Sequence, residues 1–497
     1  MEPATLNSKT INESKHPLYF PKRFVVVILG FVGILMTSTV RSSMSVAMVA
    51  MTDHSINRSS NHSPTTTSEC PVGPLDSTIN GTSDTVHLGV RYPWDPLTQS
   101  NILSAYFYCY FITVFCGGWV AQKVGAARLL GCCIFLASAL CFALPAAAAS
   151  GPATLIVVRT IQGLCGGACL PSMSAVVSKW SPKLERSVIM TIVFTGALMS
   201  TVIGNPISGW LTTVQWVGGW PAIFYCVGVC GCAWSFLWFY FVYESPGLHS
   251  NITQVELMLY AETLDSIPPK QLIVPWQAML SSLPLWSVLI AQSGATFTFN
   301  IMMVELPSYL FHVLHFDIKA SSALSMLPFL ADSIGAWTSS YAADRMRATG
   351  RWRITAIRKC FNSIAGFSMC LCLLGIPFSG CNSSLILGLL IFGMFVDGLR
   401  FAGFHATSID MTPDFAGTMY SLCYGTASVF GIAGPQMVGL LTRNGATVDN
   451  WSKVFYVTAA IKFITTLFYA IFASAELQSW GKATEKLDKQ RNGERKC

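Results

Sequence analysis

The stretch from Phe24 to Met51, FVVVILGFVGILMTSTVRSSMSVAMVAM, carries a single charge, Arg41, in a run of apolar and small residues. A helix that crosses a bilayer needs about 20 mostly apolar residues, so this stretch reads as a membrane span. A cation inside such a helix costs at least ~2.5 kcal/mol on insertion scales and is tolerated where it faces a bundle interior or a watery cavity. At about 100° per residue, Thr37, Ser38, Ser45 and Met48 fall on the side of Arg41, while Val26, Ile34 and Val40 lie elsewhere on the wheel. The competing reading is that Arg41, beyond the middle of the run, snorkels to the far interface. Facing a cavity, its planar fork suits a carboxylate or phosphate, which makes the implied ligand an anion.

Composition widens this to the whole chain. With 52% hydrophobic and 11% charged residues over 497 positions, it is too apolar for a soluble globular protein and reads as a multi-span membrane protein. The net charge of +7 sits in connections and tails, as a cytosolic bias requires, so no nucleic-acid partner is expected. Most of the 17 cysteines lie in apolar runs, Cys132, Cys133, Cys226, Cys230 and Cys370 among them, where thiols behave as small hydrophobes. Cys230 and Cys232 lack a second pair, so no metal site is read. Cys70 and Cys381 both fall in non-cytosolic loops; a disulfide between them stays open, with unpaired thiols preferred. The first apolar run is too long for a cleavable signal and contains Arg41.

Lys15, Lys22 and Arg23 precede the first span and place residues 1–23 in the cytosol. The loop at 52–96 is then non-cytosolic, and its sequons at Asn57, Asn61 and Asn80 agree with glycosylation there. Five further spans complete a bundle over 24–243, a cytosolic linker covers 244–283, six more spans occupy 284–475, and a basic cytosolic tail covers 476–497. Lys123, Arg128, Lys179, Lys183, Arg186, Arg345, Arg347, Arg351, Arg353, Arg358 and Lys359 all fall on the cytosolic side of this arrangement. The expected fold is therefore all-α, with twelve transmembrane helices in two six-helix bundles.

Gly118-Trp119-Val120-Ala121-Gln122-Lys123-Val124-Gly125 follows the second span, and Ser340-Tyr341-Ala342-Ala343-Asp344-Arg345-Met346-Arg347 follows the eighth. The pair resembles the short polar turn of the major facilitator superfamily, whose halves are parallel repeats around a central cavity. Further segments resemble its anion:cation symporter family, which includes sialin, the vesicular glutamate transporters and the type I sodium-phosphate cotransporters. These are Arg41-Ser42-Ser43-Met44-Ser45, Trp94-Asp95-Pro96 through Tyr110, Arg159-Thr160-Ile161-Gln162-Gly163, Trp180-Ser181-Pro182, Leu306-Pro307-Ser308-Tyr309, Asp410-Met411-Thr412-Pro413 and Val454-Phe455-Tyr456-Val457.

The resemblance implies that Arg41 contacts the anion and that Tyr108 or Tyr110 and Arg159 lie close to the path. The residues themselves leave alternatives: Tyr106, Tyr110, Thr113 and Gly117 share a face that suits packing equally well, and Arg159, on a face with Gly163 and Gly166, suits a structural pair. Several departures from the family pattern bear on coupling. Gln162, Gly166, Ser174 and Ser408 stand where the family's titratable groups are expected, and Ala295 and Asn300 replace an arginine and a tyrosine in the seventh span. A dicarboxylate would miss its second cation. Coupling then falls to other membrane carboxylates: Glu305, beside a backbone expected to break at Pro307, and Asp332, expected nearer the cavity's edge. Asp397 and Arg400 are three apart, within ion-pair reach; Arg400 is a second anion contact if Asp397 does not hold it.

The function expected is secondary transport of an organic anion or inorganic phosphate. The candidate binding residues are Arg41, Tyr108, Tyr110, Arg159, Asn300 and Arg400. The expected symport needs no cofactor beyond co-transported protons or sodium, works as a monomer in a lipid bilayer, and lies at the plasma membrane or an endolysosomal or vesicular membrane. No nucleophile-base pair supports an enzyme, since His312, His315 and His405 have no Ser or Cys at a plausible partner spacing. The alternative is an uncoupled anion conductance or a non-transporting sensor.

Overall fold

The computed structural model describes residues 22–52, 90–181, 186–214, 218–248, 275–412, 416–443 and 445–480. The sequons at Asn57, Asn61 and Asn80, together with Cys70, lie outside these residues. The spans are, in order, Lys22–Met51, Pro96–Val124, Ala126–Ser150, Pro152–Trp180, Arg186–Leu211, Pro221–Phe241, Leu283–His312, Ile318–Leu324 continued by Met326–Ala348, Ile354–Phe378, Ser383–Asp397 continued through Gly398–Phe401 and Phe404–Met411, Ala416–Leu441 and Val448–Phe472. Ten of these segments are long and apolar enough to cross a membrane, the eighth and eleventh being richer in small and polar residues. Prolines in the first turn, where no N–H is missed, start the second, fourth and sixth spans. Gly125 and Gly151, at φ 102° and 123°, make the one-residue turns on either side of the third span.

Packing repeats with a period of six spans. In the first half the second span packs on the fourth, the third on the fourth and sixth, and the first on the fifth and sixth; in the second half eight packs on ten, nine on ten and twelve, and seven on eleven and twelve. The halves meet through spans one and seven, two and eleven, and five and eight.

Many of these meeting points lie toward the end of the bundle that holds Met51 and Pro96. Val304 of the seventh span joins the core around Met44, Met48 and Leu103, and Val202 of the fifth packs on the core around Phe329 and Leu373. Asn205 donates to Ser325 at 3.1 Å, Gln436 to Asn101 at 2.6 Å, and Ser104 to the Ile432 carbonyl at 3.2 Å. At the opposite end, by contrast, the core around Val26, Ala126 and Trp238 draws only on the first half, and the core around Met279, Met411 and Tyr469 only on the second. Further along, the halves still touch through the Phe194 and Tyr420 rings at 6.1 Å and through Phe115 against Gly425.

Two expectations are corrected. The seventh span runs through Pro307 without a break, because the missing N–H strips one carbonyl of its partner while packing on both sides keeps the helix continuous. Cys381 is disulfide-bonded rather than a free thiol, while the other cysteines among the described residues are free.

Candidate functional site

Arg41 lies on the first span where that helix meets the seventh. Its Nη2 donates to the sulfur of Met303 at 3.4 Å, its guanidinium stands 6.0 Å from the Phe107 ring, and its Nε finds no partner. Pro307 offers no N–H to the Met303 carbonyl, and one residue on the Val304 carbonyl accepts from Ser45, one turn beyond Arg41. Arg41 is thus half-buried against soft and aromatic atoms, with no ion pair among the described residues. Tyr110 of the second span and Tyr424 of the eleventh both lie within its electrostatic reach.

Arg159, 1% exposed, holds the backbone of this same turn. Nη1 donates to the Val40 carbonyl at 3.0 Å and to Gln162 at 3.2 Å, and Nη2 to the Arg41 carbonyl at 3.3 Å. Gln162 in turn donates to the Ala137 carbonyl at 3.0 Å, so it ties spans three and four to this clamp. The face it shares with Gly163 and Gly166 packs on the second span so closely that a Cβ at Gly163 would sit 1.7 Å from the Tyr106 carbonyl. Arg159 has no carboxylate partner, so the sequence expectation of a structural pair is met by main-chain carbonyls instead.

In the second half the charges are matched. Arg400 donates from Nη1 to Asp332 at 2.6 Å and to Asp397 at 2.7 Å, and from Nη2 to the other Asp332 oxygen at 2.9 Å. Lys462 of the twelfth span reaches the second oxygen of Asp397 at 2.6 Å. All four side chains are buried, Asp332 at 0% exposure, which corrects its expected place near a cavity edge: the eighth span turns that face onto the tenth. Removing one partner of such a buried pair costs roughly 3–5 kcal/mol, because the other charge is stranded. Arg400 is therefore compensated twice over in this state. Lys462 escaped the sequence reading, although a lone lysine inside the apolar twelfth span is a signal of the same kind as Arg41.

The remaining candidates separate. Tyr110 is buried beside Tyr106 and Phe107, with ring centroids at 5.8 and 6.0 Å. Tyr108 lies on the seam between halves and accepts from Gln436 at 3.3 Å, away from Arg41's contacts. Asn300 is buried one turn before Met303. Glu305 is 5% exposed, and its Oε1 has no hydrogen-bond partner. His405, absent from the expected site, stacks between Phe401 and Phe404 at 4.7 and 4.4 Å and faces Tyr424. Tyr424 stacks on Tyr420 at 4.3 Å and lies within reach of both Arg41 and Arg400. Two guanidinium groups, one from each half, thus flank one aromatic pair.

The description Major Facilitator Superfamily matches residues 30–361. The chain belongs to this superfamily. Human sialin is 33% identical over 466 residues, covering 93% of this chain and 92% of sialin, and a Drosophila ananassae protein described as "Putative inorganic phosphate cotransporter" is 35% identical over 463 residues, covering 92% and 93%. Among solved structures, a bacterial homolog of the human lysosomal transporter Spinster, inward-facing and unoccupied, superposes with a TM-score of 0.67 at 12% identity over 94% of this chain and 98% of that one. These matches place the chain with the sialin and phosphate-cotransporter branch of the superfamily, as a multi-pass membrane transporter. The matched fold also accounts for the six-span repeat and for a site built where the halves meet.

Proposed function

We propose that this chain moves a small organic anion or inorganic phosphate across its membrane by alternating access, driven by a cation gradient. The observation that supports this most is Arg41, a half-buried guanidinium at membrane depth with no carboxylate partner among the described residues. A fork left uncompensated in low dielectric favours a bidentate oxyanion. Tyr110 and Tyr424 supply hydroxyl groups close by, on the second and eleventh spans that pack on each other across the two halves. The names of the relatives point the same way, one being described for inorganic phosphate. Because Arg400 is spoken for by Asp332 and Asp397, a ligand with one anionic group suits the site better than a dicarboxylate.

Purified protein in liposomes, offered a panel of monocarboxylates, dicarboxylates and phosphate under imposed sodium, proton or voltage gradients, tests the proposal. Gradient-driven accumulation of an anion supports it. Flux that only equilibrates would turn the assignment to an uncoupled conductance, and no flux for any anion would turn it to a sensor.

A further inference from the structure

We infer that Asp332 is the proton site that links anion and proton movement, with Arg400 as the exchangeable partner; this rests on the anion-transport reading above. The pairing in the second half is unequal. Among the described residues Asp397 has two cations, Arg400 and Lys462, whereas Asp332 has Arg400 alone, on both of its oxygens. If Arg400 turns to another anion, Asp397 keeps Lys462 and Asp332 keeps nothing.

An incoming anion has reason to make that exchange. Arg400 lies 4.9 Å from the Phe401 ring, which stacks on His405, and His405 stands 6.3 Å from Tyr424, a ring that packs on the Phe107 cluster facing Arg41. An anion held by Arg41 near Tyr424 is therefore close to the second guanidinium. Once Arg400 leaves Asp332, a carboxylate at 0% exposure stands without a cation, a condition far costlier than neutrality. It takes one proton from the solution on the loading side. When the anion departs on the other side, that proton leaves to the solution there, and Arg400 returns to Asp332. One anion and one proton cross together.

The surroundings favour a proton over a metal ion. Facing Asp332 are Asp397 and Arg400 from the tenth span and Lys462 from the twelfth; His405 and Tyr424 stand behind Arg400, and the ninth span contributes the Cys370 thiol near Lys462. The fifth span, packed on the eighth, brings no charged side chain between Ser187 and Leu211. Two fixed cations repel a third, whereas a proton removes the negative charge outright. Glu305 lacks this link: no cation faces it, so binding an anion at Arg41 or Arg400 exchanges none of its partners.

The test compares accumulation with exchange in proteoliposomes. For the wild type, an inwardly directed proton gradient of one pH unit should concentrate a monoanion up to about tenfold, one proton per anion, and a sodium gradient should add nothing. Asp332→Asn should abolish that accumulation while anion exchange continues, and Glu305→Gln should accumulate like the wild type. Asp332→Asn leaves an excess positive charge in the network, so the charge-balanced pair Asp332→Asn with Lys462→Met is measured beside it and should continue to exchange anion, Asp397 there standing with Arg400 as its cation and able to take the proton itself. Accumulation by Asp332→Asn, or loss of accumulation in Glu305→Gln alone, overturns the inference. Equal loss of exchange and accumulation in the charge-balanced pair, with the protein present in the membrane, also overturns it, by making Asp332 structural. A wild type that exchanges no anion at all instead sinks the anion-transport reading on which this one rests.

Discussion

Arg159 grips Arg41 by its backbone, not its side chain: one terminal nitrogen of Arg159 reaches the Arg41 carbonyl at 3.3 Å and the other the Val40 carbonyl at 3.0 Å. The fourth span thereby sets the position of the first while leaving the Arg41 guanidinium free for a ligand. Arg159→Lys keeps the charge but cannot span two carbonyls and Gln162 together. Stranding such buried groups costs about 1–3 kcal/mol, which predicts a five- to hundredfold rise in the anion KM. KM and the amount of folded protein should be measured together; a fall in protein with unchanged KM would make Arg159 a packing residue only.

The outer seam between spans two and eleven predicts a shift in conformation. A Cβ on Gly439 would come within 2.2 Å of the Ser100 hydroxyl and 3.0 Å of the Pro96 carbonyl, so this glycine lets the halves close together at this seam. Gly439→Val should overpack that closed state by about 1–3 kcal/mol and favour opening outward. Labelling of an introduced cysteine at Ser104 by an impermeant thiol reagent should rise in the variant. Unchanged labelling would mean that the seam does not govern closure.

Hydropathy made the spans legible, and the i,i+3 spacing made the Arg400–Asp397 pair legible, because both depend on neighbours along one helix. The Gly163 and Gly166 face was readable for the same reason. Asp332 and Lys462 were not legible as partners of that pair, since 68 residues separate Asp332 from Arg400 and no periodicity says which helices touch. The unbroken backbone at Pro307 depends likewise on packing from other spans.

Just beyond the sixth span, Glu244 caps the third span through the amides of Ala126 and Ala127 at 2.8 and 3.0 Å and pairs with Lys179 at 2.6 Å. Burial opposes its charge, but the Lys179 ammonium and the two amides outweigh it and hold the carboxyl below its usual value of 4.5. A folded-state value below the unfolded one means that the stabilisation is fully present above about 4.5 and fades as pH falls through the lower value. Glu244→Gln should therefore lower thermal stability at neutral pH, by about 1 kcal/mol for the weakened cap, with the half-exposed Lys179 pair adding little. The difference from wild type should shrink in strong acid; a difference that grows there would contradict the assignment.

Orientation is testable through the loop between the first two spans. Asn57, Asn61 and Asn80 should face the non-cytosolic side, with at least one glycosylated. Enzymatic deglycosylation should raise gel mobility, and the triple Asn→Gln variant should already run at the faster position. An epitope in that loop reached only from the cytosol would invert every span.

Arg41 remains the centre of the account, and transport of the best anion by Arg41→Lys and Arg41→Ala, in liposomes with matched protein, tests it most directly. Lysine preserves the charge and loses the fork; alanine loses both. The account predicts that exchange and net uptake both fall to background in Arg41→Ala, and that Arg41→Lys fails too because recognition is bidentate. Wild-type transport by Arg41→Ala would contradict it.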